Sequence, residues 1–125
     1  ILQLLKLDNI TAERNAIARE YNALLGPLGF LQQKTDDNVY HNIQSLIFTV
    51  PSSFSRDALI DYLGAHNIES TLGTYCLSGT TYYLEKYNDP QKNSLWLESN
   101  TITLPCYKGV DVNRVVDVIR SFCAL

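Results

Sequence analysis

Apolar residues recur along this chain with two different periods, and each change of period marks an element. From residue 1 to about residue 25, Ile10, Ile17, Tyr21, Leu24 and Leu25 keep the spacing of one helical face. Glu13, Arg14, Arg19 and Glu20 supply a solvated one. Gly26-Pro27 predicts the end of this helix. At about 1.5 Å per residue it would run roughly 36 Å, longer than one small domain needs, and it is expected to bridge two domains. Thr35-Asp36-Asp37-Asn38 predicts a turn, and Ile43 to Val50, rich in β-branched and aromatic residues, predicts a central strand closed by Pro51.

A second helix is expected after Ser55, which is placed to cap it. Phe54 and Leu59 form a hydrophobic staple, and Asp57 suits the positive end of the helix dipole. Ala58, Leu59, Tyr62 and Leu63 are expected to point inward, with the helix ending near Asn67, which tolerates a left-handed cap. Ile68 to Leu72 alternates as a short strand. Near the end, Thr101-Ile-Thr-Leu104 alternates and stops at Pro105, which cannot donate to a ladder. Asp111 then caps an amphipathic helix whose inner face is Val112, Val115, Val116, Ile119, Phe122 and Cys123, with Val110 and Val115 as its staple. The expected fold class is α+β: a small mixed or antiparallel sheet with helices on one face and a long N-terminal bridging helix.

Composition narrows the function classes. At 125 residues the chain is about one domain, with 46% hydrophobic and 18% charged residues. A net charge of −3, and no run of Lys or Arg, argue against nucleic acid as a partner. No apolar stretch reaches the roughly 18 residues that cross a bilayer, and no signal peptide is visible. Cys76, Cys106 and Cys123 form no CxxC pair and have no histidine at ligand spacing, so three reduced thiols in a cytoplasmic protein are expected. Asn9-Ile10-Thr11 fits a glycosylation acceptor but lies inside a helical pattern. The chain holds no Met, and Ile1 to Leu7 starts mid-pattern in an uncapped apolar helix. Residues 1–125 are therefore expected to be one domain of a longer chain, with 1–25 as inter-domain helix and 26–125 as α+β body.

The segment from Gly73 to Tyr87 is the richest in candidate chemistry. Tyr75, Tyr82, Tyr83 and Tyr87 sit among small hydroxyl residues and two glycines, a composition suited to a loop that meets a hydroxylated ligand. Thr74, Tyr75 and Ser78, nearest the loop tip, are the candidate substrate contacts. For Tyr82, Tyr83 and Tyr87 the plainer expectation is a short helix packed on the sheet. No catalytic residue is expected within this chain. His41 and His66 lack a carboxylate or serine partner at a recognisable spacing, and His66 is simply favourable at a helix C-terminus. No phosphate-cradling glycine loop or metal cluster is present in the sequence, and Lys6, Lys34, Lys86, Lys92 and Lys108 read as solvent-facing.

Asn93-Ser-Leu-Trp-Leu-Glu-Ser-Asn-Thr-Ile-Thr-Leu-Pro-Cys-Tyr-Lys-Gly-Val-Asp-Val resembles the closing signature of the DegT/DnrJ/StrS aminotransferases. Other stretches resemble that family in the same order. Leu4 to Leu25, with Arg14 and Tyr21, is similar to its long helix leaving the large domain. Ser55-Arg-Asp-Ala-Leu59 resembles its arginine-aspartate-x-leucine helix start, and Asn67-Ile-Glu-Ser-Thr71 its glycine-isoleucine-glutamate-threonine strand. Gly73-Thr74-Tyr75 through Tyr82-Tyr83 matches its substrate-side loop.

The resemblance implies the C-terminal small domain of the aspartate-aminotransferase fold type I. It implies an enzyme that moves an amino group from glutamate to a keto-sugar linked to a nucleotide, with pyridoxal 5'-phosphate as electron sink. The cofactor, the Schiff-base lysine and the pyridinium-pairing aspartate would then belong to an upstream large domain, in a homodimer with the site at the subunit interface. This chain departs from the family's pattern in the loop. Thr74-Tyr75 and Ser78 stand where the family often has a His-Tyr pair and a second His, and Thr80-Thr81 replaces Gln-Pro. Both imidazoles, possible proton carriers and phosphate partners, are absent there. Two other readings stay open at this stage: a free-standing α+β module that binds a small metabolite through its loops, and a degenerate family member without transamination.

Overall fold

The computed structural model describes residues 4–36 and 38–125. The first three residues of the expected helix, and Asp37 of the expected turn, lie outside the described residues. After a 3-10 turn at Leu4–Lys6, helix α1 spans Leu7–Leu25 and continues through a second 3-10 turn at Gly26–Leu28. The α-helix thus stops at Gly26, as expected, and the 3-10 turn carries the chain on to Gly29. Gly26 stays helical with φ −53°, and the chain turns at Gly29, whose φ of 87° is left-handed and suits a residue without a Cβ. Ala18, Tyr21 and Leu25 are buried on the inner face. Arg14, expected in solvent, is half-buried, and its Nη1 donates to the carbonyl of Ile43 at 3.4 Å. Thr11 is also buried, its hydroxyl donating to the Leu7 carbonyl at 2.9 Å inside the helix.

Four short strands form one sheet: β1 (Leu31–Gln32), β2 (Leu46–Thr49), β3 (Thr71–Leu72) and β4 (Thr101–Leu104). They lie in the order β1-β2-β4-β3 with every pair antiparallel. The expected strand from Ile43 starts only at Leu46. Ile43 has a φ of 47°, a conformation a β-branched residue seldom adopts, so the chain turns there before it can pair. The register sets Leu46 opposite Leu104 and Phe48 opposite Ile102. All four are buried and point to the same side, as the two-residue period of a strand requires.

Helices α2 (Arg56–Ala65) and α5 (Val112–Cys123) join α1 on that side. Leu59 and Leu63 of α2 and Val112, Val115, Val116 and Ile119 of α5 complete one contiguous core with the strand residues. Both predicted caps are made. The Ser55 hydroxyl accepts from the Ala58 amide at 3.3 Å, and the Asp111 carboxylate accepts from the Arg114 amide at 2.9 Å. Phe54 packs at the core margin, its ring 5.8 Å from that of Phe122. Asn67 is left-handed at φ 58°, as expected. Ala58 does not point inward: it is exposed, while Arg56 is buried for a reason given below.

The other sheet face carries Ile47, Thr49, Thr101 and Thr103. Between β3 and β4 the chain makes an excursion over residues 73–100 that contains a 3-10 turn at Leu77–Gly79 and helices α3 (Thr81–Tyr87) and α4 (Lys92–Asn100). Among the described residues no helix is long and apolar enough to cross a membrane, and no group of three or more His, Cys, Asp or Glu could hold a metal ion.

Candidate functional site

The candidate loop is built from its two ends. At the first, the Gly73 amide donates to the Thr101 carbonyl at 3.0 Å and brings the backbone against the sheet. A Cβ at Gly73 would overlap the Thr101 hydroxyl and come within 2.8 Å of Ile47 Cγ2, so only glycine allows this approach. At the second end, Cys76 is 2% exposed and its amide donates to the Glu98 carboxylate at 3.2 Å. Thr74 and Tyr75 lie between these two fixed amides. Thr74 is half-buried, and Tyr75 stands 67% exposed with its hydroxyl clear of the core.

Ser78 is engaged differently. Its oxygen accepts from the Gln91 amide at 2.9 Å and lies 3.2 Å from the Cys76 sulfur. A hydroxyl has one proton and two lone pairs, so these contacts take up most of its bonding capacity. Ser78 thus ties the turn before α3 to the turn before α4, directly behind the loop tip. The 3-10 turn is closed by Gly79 and Thr80 amides on the Cys76 and Leu77 carbonyls, and the Thr80 hydroxyl donates to Leu77 as well. What remains free at the tip is neutral hydroxyl chemistry, which can orient a polyhydroxylated ligand by hydrogen bonds.

The three following tyrosines form a helix, as expected, but they do not pack it on the sheet. α3 has no buried residue: Tyr82 and Tyr87 are about three-fifths exposed. They pack instead on one another, Tyr82 edge-on to Tyr83 at 5.1 Å and Tyr83 roughly parallel to Tyr87 at 6.1 Å. The Lys86 ammonium lies 5.6 Å and 5.2 Å from the ring centres of Tyr82 and Tyr87. α4 has no buried residue either, and Trp96 is exposed on it.

Residues elsewhere do not join this loop. A groove of about 600 Å³ between the β3–β4 edge and the start of α5 is lined in part by Glu69, Ser70, Tyr107, Asp111 and Arg114. None of Thr74, Tyr75 and Ser78 reaches it. Burial pushes up the Cys106 thiol, a push partly opposed by the nearby Arg14, and burial likewise raises Cys123. All three cysteines are free. Burial also raises the Tyr21 phenol well above its ordinary value. His66 caps α2, with Nδ1 2.8 Å from the Tyr62 carbonyl, and His41 lends its carbonyl to Asn15.

The lysine environments decide how pyridoxal phosphate relates to this chain. Lys6, Lys34, Lys86, Lys92 and Lys108 all stand exposed, and Lys108 is occupied with Glu13 at 3.3 Å. A Schiff-base lysine sits in a desolvated pocket, whereas all five of these stand in solvent. The residues present therefore do not fit the cofactor by themselves. The residues that shape the loop and that spacing did not point to are Glu98, Gln91 and Arg56. Each acts on a residue at least 13 positions away, which leaves no local pattern to read.

The sequence matches the model of the DegT/DnrJ/EryC1/StrS aminotransferase family over residues 1–123. It is similar in fold to several solved structures. One is a DegT DnrJ EryC1 StrS aminotransferase from Brucella abortus, 23% identical with a TM-score of 0.81, matched over 98% of this chain and 33% of that one. A second is DesI in the presence of its TDP-sugar product, 19% identical with a TM-score of 0.85, over 96% and 33%. A third is the PLP form of Spr1654 from Streptococcus pneumoniae, 20% identical with a TM-score of 0.80, over 98% and 33%. The present chain spans about a third of the length of each.

Proposed function

Since this chain belongs to the DegT/DnrJ/EryC1/StrS aminotransferase family, we propose that it is the C-terminal small domain of a pyridoxal-phosphate-dependent aminotransferase. The full enzyme moves an amino group from glutamate to a keto-sugar, and that sugar is nucleotide-linked. The observation that carries this reading is the extent of the family match, residues 1–123, on a chain with one third of the length of the enzymes it resembles. The exposed Leu4, Leu5 and Leu7, and the exposed aromatic side chains of α3 and α4, agree with a body that packs on more protein. The TDP-sugar product in the DesI structure and the PLP form of Spr1654 support the substrate class and the cofactor.

In this reading an upstream large domain of the same chain holds the cofactor and the catalytic lysine, in a cytoplasmic homodimer. The cofactor supplies the electron sink. The present domain covers the site, excludes water and orients the sugar. Thr74 and Tyr75 meet sugar hydroxyls, with Ser78 behind them holding the loop. With neutral hydroxyls at its tip and no imidazole, the loop serves to position the sugar by hydrogen bonds.

The test is a pair of half-reactions on the full-length protein loaded with pyridoxal phosphate. Glutamate is expected to shift the cofactor absorbance to that of its aminated form, and a nucleotide-linked keto-sugar to reverse the shift. No shift with any amino acid donor would remove the reading in favour of a non-catalytic homologue. The isolated 1–125 segment is expected to bind no pyridoxal phosphate, and a stoichiometric lysine adduct on it would overturn the assignment of the lysine upstream.

A further inference from the structure

Among the described residues Arg56 is the buried charged side chain, at 8% exposure, and it sits on the first turn of α2. Burying a guanidinium is costly unless its donors are satisfied, so its partners show what it is for. Nε donates to the neighbouring Asp57 carboxylate at 2.6 Å. Nη1 reaches across the fold to two main-chain carbonyls, Glu98 at 2.7 Å and Thr101 at 3.0 Å. These belong to the last turn of α4 and the first residue of β4. Carbonyls there are left over at a helix C-terminus, and a cation beside them is favourable.

The same two residues hold the candidate loop. The Thr101 carbonyl that accepts from Arg56 also accepts the Gly73 amide at 3.0 Å. Glu98, whose carbonyl Arg56 grips, sends its carboxylate to the Cys76 amide at 3.2 Å. Thr74 and Tyr75 are thus suspended between two amides, and both amides bond to residues that one guanidinium grips. No side chain of α4 is buried, and beside Arg56 this helix end is held by the Val50 amide on the Asn100 carbonyl at 2.9 Å and by the pairing of Thr101 with Thr49.

We propose that Arg56 is a positioning residue: through Glu98 and Thr101 it sets how Thr74 and Tyr75 are presented to substrate. Its kinetic consequence rests on the reading of the loop as a sugar contact, whereas its structural consequence does not. Arg56→Met keeps the apolar stem and removes the donors. The α4 end then loses its clamp, Glu98 shifts away from the Cys76 amide, and the loop tip loosens.

The experiment uses the full-length protein with two readouts. Amide hydrogen exchange at Gly73 to Leu77 is expected to quicken about tenfold in Arg56→Met, while the core amides of α5 keep their rates. The KM for the nucleotide-linked keto-sugar is expected to rise about tenfold with kcat changed less than about twofold, because the loop positions and does not react. Glu98→Ala cuts only the Cys76 end. It is expected to quicken exchange at Cys76 but not at Gly73 and to raise KM less, and it decides the question if Arg56→Met fails to fold. Unchanged exchange in the loop would overturn the inference. So would a fall in kcat at constant KM accompanied by loss of core protection, the mark of a merely structural arginine. Should the wild-type protein transfer no amino group, the proposed function falls and the exchange pattern alone decides the role of Arg56.

Discussion

The Ser78 hydroxyl lies 2.9 Å from the Gln91 amide, thirteen residues further along, and this bond closes the segment containing α3 into a ring. Ser78→Ala removes the acceptor and leaves that amide to find water. Stability is expected to drop by about 1 kcal/mol, the ordinary worth of one such bond, measured by urea unfolding of the full-length protein. A Ser78→Ala protein of unchanged stability but raised KM would show the hydroxyl to be a substrate contact instead.

Tyr75 offers the opposite pattern. It is two-thirds exposed and contributes nothing to the core, so Tyr75→Phe should leave the unfolding midpoint where it is. If its hydroxyl bonds a sugar hydroxyl, the KM for the keto-sugar rises about fivefold, the equivalent of about 1 kcal/mol. Equal KM values for the two proteins would remove Tyr75 from the site.

Gly73 is required by space rather than by backbone angle. A methyl group there would press on the Thr101 hydroxyl and on Ile47, both held by the sheet. Gly73→Ala is expected to cost about 1–3 kcal/mol of stability, in the range of other overpacked positions. Thr101→Ser, which removes the methyl but keeps the hydroxyl, should not rescue it. Thr101→Ala should do so in part, and the double-mutant cycle measures the coupling.

Tyr21 is wholly buried, and its hydroxyl has no hydrogen-bond partner among the described residues. Tyr21→Phe should therefore stabilise the protein by about 1 kcal/mol, since an unsatisfied buried hydroxyl costs roughly that much. The pH dependence has a definite sign. Burial raises the Tyr21 phenol, and also the Cys106 and Cys123 thiols, above their ordinary values. Folded protein thus holds protons that the unfolded chain releases, and stability falls as pH rises past the ordinary thiol value of 9.0 and phenol value of 10.0. Thermal melts from pH 8 to 11 should show that fall, and Tyr21→Phe should make it shallower above pH 10.

Local patterns announced the elements whose burial is periodic. α5 was readable because four buried residues recur at helical spacing behind an Asp111 cap, and α2 because Ser55 and the Phe54–Leu59 staple are adjacent in sequence. α4 was not, for it buries nothing and so carries no apolar period. β1 escaped because its two residues are a strand only through pairing with Thr49 and Phe48, a relation that sequence spacing does not carry. The loop tip at Thr74, Tyr75 and Ser78 stood out by composition, yet the holding role of Ser78 depends on Gln91. Ala58, expected inward, was misplaced, and nothing in the spacing pointed to a buried Arg56. Arg56 earns its burial from carbonyls 42 and 45 residues away, which turns α2 so that Ala58 faces water.

From Leu77 to Asn100 not one residue is buried, while the sheet and α1, α2 and α5 share a single closed core. Mutations in this stretch need not disturb that core, so substitutions accumulate here without refolding the scaffold. Exchanging residues 77–100 between relatives, which leaves that closed core untouched, is the corresponding route for an engineer.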